Sequence, residues 1–121
     1  MSTVLVVDGA NVVGSRPDGW WKDRAGAARK LHEQLMVADT SYDVVVLVLE
    51  GAAKGGVGAG RDAHVRTVHA PGSGDDTIVA QARTAAERGD RVTVVTADRL
   101  LKARVARWAD TQGPSWLLDQ L

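Results

Sequence analysis

Short uninterrupted apolar runs alternate along this chain with longer stretches in which apolar residues recur at helical spacing. Three of the runs are rich in valine and are bounded by polar or turn residues: Thr3–Asp8, Asp43–Leu49 and Val92–Ala97. Continuous β-branched runs of this length are typical of strands buried on both faces of a parallel sheet. The alternating segment His64–Val68 predicts a further, shorter strand.

Helical spacing predicts three helices, which run from Asp23 to about Ala38, from Asp75 to Arg88, and from Asp98 to about Asp110. The connections are predicted to be irregular, with a polar loop at Gly9–Asp23, a mobile loop at Gly51–Gly60 and a turn at Pro71–Gly74. Gly113-Pro114 is expected to stop the last helix, and Trp116–Leu118 is interpreted as a final short strand.

Buried strands that alternate with helices predict a three-layer α/β/α sandwich around a mostly parallel sheet. The 121 residues suit one domain, and no linker or internal repeat divides them. The composition is 45% hydrophobic, which is enough for a substantial core. No apolar run approaches the length of a membrane span or a signal peptide, so we expect a cytoplasmic protein with no membrane partner.

Charge and cysteine content narrow the possible chemistry. Fifteen Lys and Arg residues balance fifteen Asp and Glu residues, so a globally basic nucleic-acid binder is not indicated, although the charges can still be segregated by face. The chain has no cysteine, which excludes disulfides and thiolate metal sites. The three histidines do not cluster in sequence, so a zinc site is not expected.

Four acidic positions follow apolar runs or a turn and are the candidates for chemistry: Asp8, Glu50, the pair Asp75 and Asp76, and Asp98. In an open parallel sheet, ligands bind beyond the carboxyl ends of the strands. Acids gathered at that edge repel one another unless a hard cation neutralises them. Each acid has an alternative interpretation as a helix N-cap or turn residue, and an acid at the first turn of a helix is favoured by the helix dipole alone.

The motifs that contain these acids resemble those of the NYN branch of the PIN-like nuclease superfamily. The matching segments are Val-Val-Asp-Gly-Ala-Asn-Val at 6–12, Gly-Asp-Asp-Thr-Ile at 74–78 and Val-Val-Thr-Ala-Asp-Arg at 94–99. Their order and approximate spacing match over nearly the whole chain. The resemblance implies a PIN-like fold and cleavage of RNA that depends on Mg²⁺ or Mn²⁺.

Carried over to this chain, the resemblance implies that Asp8, Asp75 and Asp98 are catalytic acids that hold the metal ion, with Asn11 as a supporting catalytic residue. Asp76 matches a second acid at the same helix start and is expected to assist. Relatives usually have Asp-Gly after the second strand, where this chain has Glu50-Gly51. Glutamate keeps the charge but is one methylene longer, so Glu50 is expected to assist in holding the metal, with a water-mediated contact as the alternative to direct coordination.

Basic and aromatic residues beside the first motif are candidates for binding single-stranded RNA. Adjacent tryptophans cannot face one way in regular structure, so one is expected to pack on the core and the other to be free to stack on a base. The substrate-binding candidates are Arg16, Trp20, Lys22, Arg24 and Arg99.

Two other functions stay open at this point. A catalytically weak RNA-binding module would keep the same fold, and a nucleotide phosphohydrolase could use the same acidic edge. The glycine-rich segment 54–60 lacks the Lys-Ser/Thr pair of a phosphate-binding loop, which disfavours nucleotide binding there. A homodimer is also possible, since the apolar C-terminal segment at Trp116–Leu118 offers a surface for a partner.

Overall fold

A computed structural model describes all 121 residues of the chain. Six strands form one sheet, and helices cover both faces. The strands are β1 (Thr3–Asp8), β2 (Val44–Leu49), β3 (Gly60–Asp62), β4 (Val65–His69), β5 (Arg91–Val95) and β6 (Ala109–Gln112). The helices are α1 (Gly9–Gly14), α2 (Arg24–Val37), α3 (Gly74–Glu87), α4 (Arg99–Val105) and α5 (Pro114–Leu118).

The strand order is β3-β4-β2-β1-β5-β6, and every neighbouring pair except β3 with β4 is parallel. Strand β1 is central: Val6 is in register with Val46 of β2 on one side and with Val94 of β5 on the other. The carboxyl ends of these strands therefore meet at one edge. The predicted α/β fold with a mostly parallel sheet is confirmed and is consistent with a PIN-like architecture.

Alternate residues of the valine-rich strands build two separate cores. Leu5 and Val7 face a layer that includes Leu31 and Leu35 of α2. Val4 and Val6 face the other layer, which contains residues of α3 and α4. Both faces of β1 are thus buried, which explains why its sequence is continuously apolar rather than alternating. No helix is long and apolar enough to cross a bilayer.

The segment after β1 was predicted to be a polar loop, and this was wrong for its first part. Residues 9–14 form α1, because the Asp8 side chain accepts a hydrogen bond from the Asn11 amide and caps the helix. Val12 and Val13 are buried on the first core. A helix of six residues is too short to produce a recognisable apolar period, so the pattern could not indicate it.

The prediction of a mobile loop over Gly51–Gly60 was also wrong. Residues 51–56 form a 3₁₀ segment that packs on α2, and Gly56 lies so close to the Ala25 carbonyl that a Cβ atom would collide with it. The Lys54 ammonium donates to the Ala70 carbonyl at 3.0 Å. Gly60 then begins the short antiparallel strand β3. The side chain of Lys54 therefore connects this segment to the residue that follows β4.

The C-terminal segment differs from its prediction in two ways. Helix α4 ends at Val105 rather than near Asp110, and residues 109–112 form β6, which extends the sheet beside β5. Residues 114–118 form α5 instead of a strand. Proline at the first helical position favours a helix start, and an apolar run this short has no period that separates strand from helix.

The close approach at Gly56 gives a stability prediction. Gly56→Ala should lower the free energy of unfolding by about 1–3 kcal/mol, because the added methyl forces the 3₁₀ segment away from α2. Urea denaturation measures the change. Gly58→Ala is the matched control, since a Cβ there meets nothing within 4 Å. Equal stability of the two variants would show that residues 51–56 do not pack as described.

Candidate functional site

The carboxyl edge of the sheet collects the acids that the sequence singled out. Asp8 is the last residue of β1, and Glu50 directly follows β2. Asp75 lies in the first turn of α3. Asp98 follows β5 and precedes α4. The parallel sheet therefore brings residues from widely separated parts of the chain to the same side of the molecule.

Asp8 is the buried centre of this edge, with 6% of its surface exposed. One carboxylate oxygen accepts from the Asn11 amide at 3.3 Å, and the other accepts from the Thr96 hydroxyl at 2.9 Å. Burial raises the pKa of Asp8, and the negative charges of Asp75 and Glu50 raise it further, while the two hydrogen bonds oppose the rise. Asp8 is thus a buried acid whose charged form is disfavoured by its burial and by the charges of two other acids.

The Glu50 side chain lies against the start of α3. One of its carboxylate oxygens lies 3.2 Å from where a Cβ of Gly74 would stand, so the side chain rests against the start of α3. Its charge, like that of Asp75, acts on Asp8. The three carboxylates from β1, β2 and α3 define what we call the acidic group: Asp8, Glu50 and Asp75.

Asp98 has a more structural position. Its Oδ1 accepts from the amides of Leu100 and Leu101 at 2.9 and 3.1 Å and so caps α4. Asp98 therefore acts as the N-cap that was its alternative interpretation, and only its second oxygen is free of hydrogen bonds within the protein.

Thr96 links the two parts of the site and was missed as a functional residue. Its fully buried hydroxyl donates to Asp8 and accepts from the Asp98 amide at 3.2 Å. The sequence signal that could have identified Thr96 is a polar residue near the end of a mostly apolar predicted strand. Asn11 makes a parallel link, since its side-chain oxygen accepts from the Ala97 amide at 2.9 Å. Both residues tie β1 and α1 to the segment after β5.

Asp76 is directed elsewhere. Its carboxylate pairs with the Arg104 guanidinium at 2.8 Å, and its side chain is 86% exposed. This ion pair joins α3 to α4 across the surface. A surface pair of this kind contributes little to stability. The geometry gives Asp76 a contact between two helices rather than a place in the acidic group.

The predicted substrate contacts separate into two sets. Arg16 donates to the Gln34 side chain at 2.6 Å and is held against α2. Trp20 packs against the first core, and the Arg24 guanidinium lies 5.2 Å from the centre of its ring. Trp21 stands edge-on to Trp20 and is 57% exposed. Lys22 and Arg99 are exposed and form no ion pair.

A cleft of about 290 Å³ lies between Trp20 and Glu50, the one member of the acidic group that lines it. Trp20 and Arg24 form one wall, Glu50 and Gly51 form another, and the start of α1 lies between them. The volume is at the small end of the range for ligand sites. Glu50 thus borders both the acidic group and the cleft.

The donor set can be compared with the needs of a divalent cation. No three His, Cys, Asp or Glu side chains converge closely enough to hold a metal ion by themselves. Mg²⁺ commonly keeps several waters and binds through one or two carboxylates, so it does not require such a cage. Asp8, Glu50 and Asp75 are all oxygen donors and none forms an ion pair. These residues fit a largely hydrated hard cation.

Comparisons with known proteins define the fold. A scan of protein-family models finds no match, and a search of curated proteins finds none. Among solved structures, the chain is similar to Rae1 (YacP) from Bacillus subtilis, with 20% identity, a TM-score of 0.76, and coverage of 96% of this chain and 71% of that one. A tryptophan-to-leucine variant of Rae1 aligns with 18% identity, a TM-score of 0.73, and coverage of 97% and 73%. Identities this low establish a shared fold.

The raised pKa of Asp8 predicts how stability depends on pH. An acid with a raised pKa in the folded state contributes stability that is complete below its ordinary pKa and is lost as pH rises through the folded value. Ionised Asp8 therefore destabilises the cation-free protein at neutral pH. Asp8→Asn should raise the melting temperature in chelator at neutral pH, and the gain should vanish near about pH 4.

Thermal unfolding across pH measures this effect, with the exposed Asp119→Asn as the charge-matched control. Added Mg²⁺ should raise the melting temperature of the parent protein and leave that of Asp8→Asn unchanged. A variant that is less stable than the parent at neutral pH, or a difference that does not vary with pH, would contradict the assignment of Asp8 as a strained buried charge.

Proposed function

We propose that this protein is a metal-dependent ribonuclease of the PIN-like type that hydrolyses phosphodiester bonds of single-stranded RNA. The observation that carries the proposal is the acidic group, in which the charges of Asp75 and Glu50 add to the cost of ionising the buried Asp8 and no member forms an ion pair with a basic side chain. Such an arrangement is unfavourable without a cation, and unfavourable charge is concentrated at functional sites. The proposed cofactor is Mg²⁺ or Mn²⁺.

A bound divalent ion would supply a nucleophilic water of lowered pKa and would stabilise charge on the phosphodiester. The residues of the chain supply position. Asp8 is held by Thr96 and by the Asn11 amide, so its carboxylate cannot rotate freely. Asp8, Glu50 and Asp75 would hold the ion directly or through its waters. Oxygen donors of this kind suit both proposed cations.

The cleft beside Glu50 supports RNA as the substrate. Trp20 offers an aromatic wall, and Arg24 places a cation over that ring, so both stacking and phosphate contacts are available. Exposed Lys22 and Trp21 lie next to them in the chain. An RNA strand whose nucleotide enters the cleft brings its backbone to the acidic group. Unpaired bases are required for this entry, which favours single-stranded RNA.

Membership in the NYN branch is part of the proposal and is supported by the motifs. The Asp-Gly-Ala-Asn segment forms the end of β1 and the start of α1, and the Thr-Ala-Asp segment forms the connection from β5 to α4. Side chains from the two motifs contact each other through Thr96 and Asp8. Two motifs far apart in sequence therefore form one connected structure, as a shared role requires.

Cleavage of RNA tests the proposal. The purified protein should cleave single-stranded RNA with Mg²⁺ or Mn²⁺ and not in chelator. Asp8→Asn should reduce the rate by at least about a hundredfold, because it removes the central charge while keeping the side-chain size. Asp119→Asn is the control and should retain the parent rate. Binding of RNA without any cleavage would instead favour a non-catalytic RNA-binding module, and release of phosphate from nucleoside triphosphates would favour a phosphohydrolase.

The roles of Glu50 and Asp76 can be separated by metal dependence. Glu50→Gln should raise the Mg²⁺ concentration for half-maximal cleavage by about tenfold or more, because its charge acts on Asp8. Asp76→Asn should change it less than about twofold, since that carboxylate is exposed and paired with Arg104. The opposite order would show that the acidic group is assigned to the wrong residues.

A further inference from the structure

A second concave surface lies on the sheet face beside α3, near the edge formed by β3 and β4. Helix α3 packs over the centre of the sheet and leaves the neighbouring edge strands open on that side. The resulting groove has a volume of about 440 Å³. Its polar lining includes three arginines, Arg61 of β3, Arg66 of β4 and Arg88 after α3, and we call it the arginine groove.

The register of the edge strands places two of these arginines against each other. Arg61 and Arg66 are direct partners in the antiparallel β3–β4 pair. Like charges directly opposite one another destabilise a sheet. Neither residue forms an ion pair with a carboxylate. The pairing therefore costs stability in the free protein, and an anion between the two guanidinium groups would remove that cost.

Both arginines are oriented, and most of their donors are free. Arg66 donates from Nη2 to the Gln81 side chain at 2.6 Å, and Arg61 donates from Nε to the Ala63 carbonyl at 3.0 Å. A guanidinium has five N–H donors, so each keeps several for a ligand. The bonds fix the direction of each fork and reduce the entropy lost on binding.

The acid that lines the groove is already satisfied. Asp90 pairs with Arg88 at 3.1 Å and also accepts from the Ser2 amide at 3.2 Å. It therefore neutralises Arg88 and leaves the positive charges of Arg61 and Arg66 uncompensated. A groove with two uncompensated guanidinium groups selects an anion, and planar guanidinium forks match the oxygens of a phosphate group.

We infer that the arginine groove binds the phosphodiester backbone of the RNA substrate at a distance from the cleaved bond. This inference rests on the proposed RNA substrate. The groove is lined by Val4 and Val44, which stand near the amino ends of β1 and β2, whereas the acidic group lies at their carboxyl ends. Strands of six residues span roughly 20 Å. An RNA that reaches both sites must therefore be several nucleotides long.

The test compares the parent protein with an Arg61→Gln, Arg66→Gln double variant. RNA binding is measured in chelator, so that no cleavage is needed, over a series of salt concentrations. Loss of two phosphate contacts should reduce the slope of log affinity against log salt by about 1.4 for single-stranded RNA. The advantage of the parent should consequently shrink about sevenfold between about 50 and 200 mM salt.

The control removes the same charge from exposed helix positions outside the groove, as Arg29→Gln with Arg83→Gln. It should leave the slope nearly unchanged.

Two results would overturn the inference: equal salt slopes for the parent and the groove variant, or an equal loss in the control. The outcome is distinguishable from failure of the proposed function. If the protein cleaves no RNA but the groove variant shows the expected reduction in salt slope, the arginine groove is supported and only the proposed ribonuclease activity fails. If cleavage depends on Asp8 but the groove variant has the same salt slope as the parent, the ribonuclease proposal is supported and the arginine-groove inference fails.

Discussion

The hydrogen bond from the Thr96 hydroxyl to the Asp8 carboxylate is the contact on which the rest of the acidic edge depends. It joins the ends of β1 and β5, and the same hydroxyl accepts from the Asp98 amide and so positions the start of α4. A buried carboxylate is costly without hydrogen-bond partners. Hydrogen bonds from Thr96 and from the Asn11 amide offset part of the free-energy cost of ionising the buried Asp8. The charges of Asp75 and Glu50 add to that cost. The balance leaves a buried carboxylate whose ionisation opposes folding.

The parallel sheet gives this contact its position and also separates the charges of the molecule. Acids from β1, β2 and α3 meet at the carboxyl edge, whereas Arg61 and Arg66 stand on an open edge of the sheet. The formal net charge is zero, so composition alone conceals the segregation. A negative site for a cation and a positive groove for phosphates suit one polyanionic substrate that contacts both. Charge distribution, rather than total charge, carries the functional information.

The long elements were predictable because their patterns are unambiguous. The buried strands β1, β2 and β5 read as valine-rich runs, and α2 and α3 are long enough for helical spacing to show. The short elements α1, β3, β6 and α5 were not predicted correctly, since tertiary contacts decide segments of three to six residues. The sequence identified the candidate acids of the site by their residue type and by their position after a strand or a turn. The sequence does not contain the directions of the side chains, so it could not show which acids lie near one another. In the structure Glu50 lies against the start of α3, whereas Asp76 pairs with Arg104.

The central claim is that Asp8, Glu50 and Asp75 together hold a divalent cation. A crystal of the protein soaked in Mn²⁺ tests it most directly, because manganese is located by its anomalous scattering without reference to activity. The account predicts a single strong region of density bounded by these three carboxylates, with Thr96 still bonded to Asp8. Density centred on Asp76 or Asp98 and away from Asp8, or no density at a concentration that supports cleavage, would contradict it.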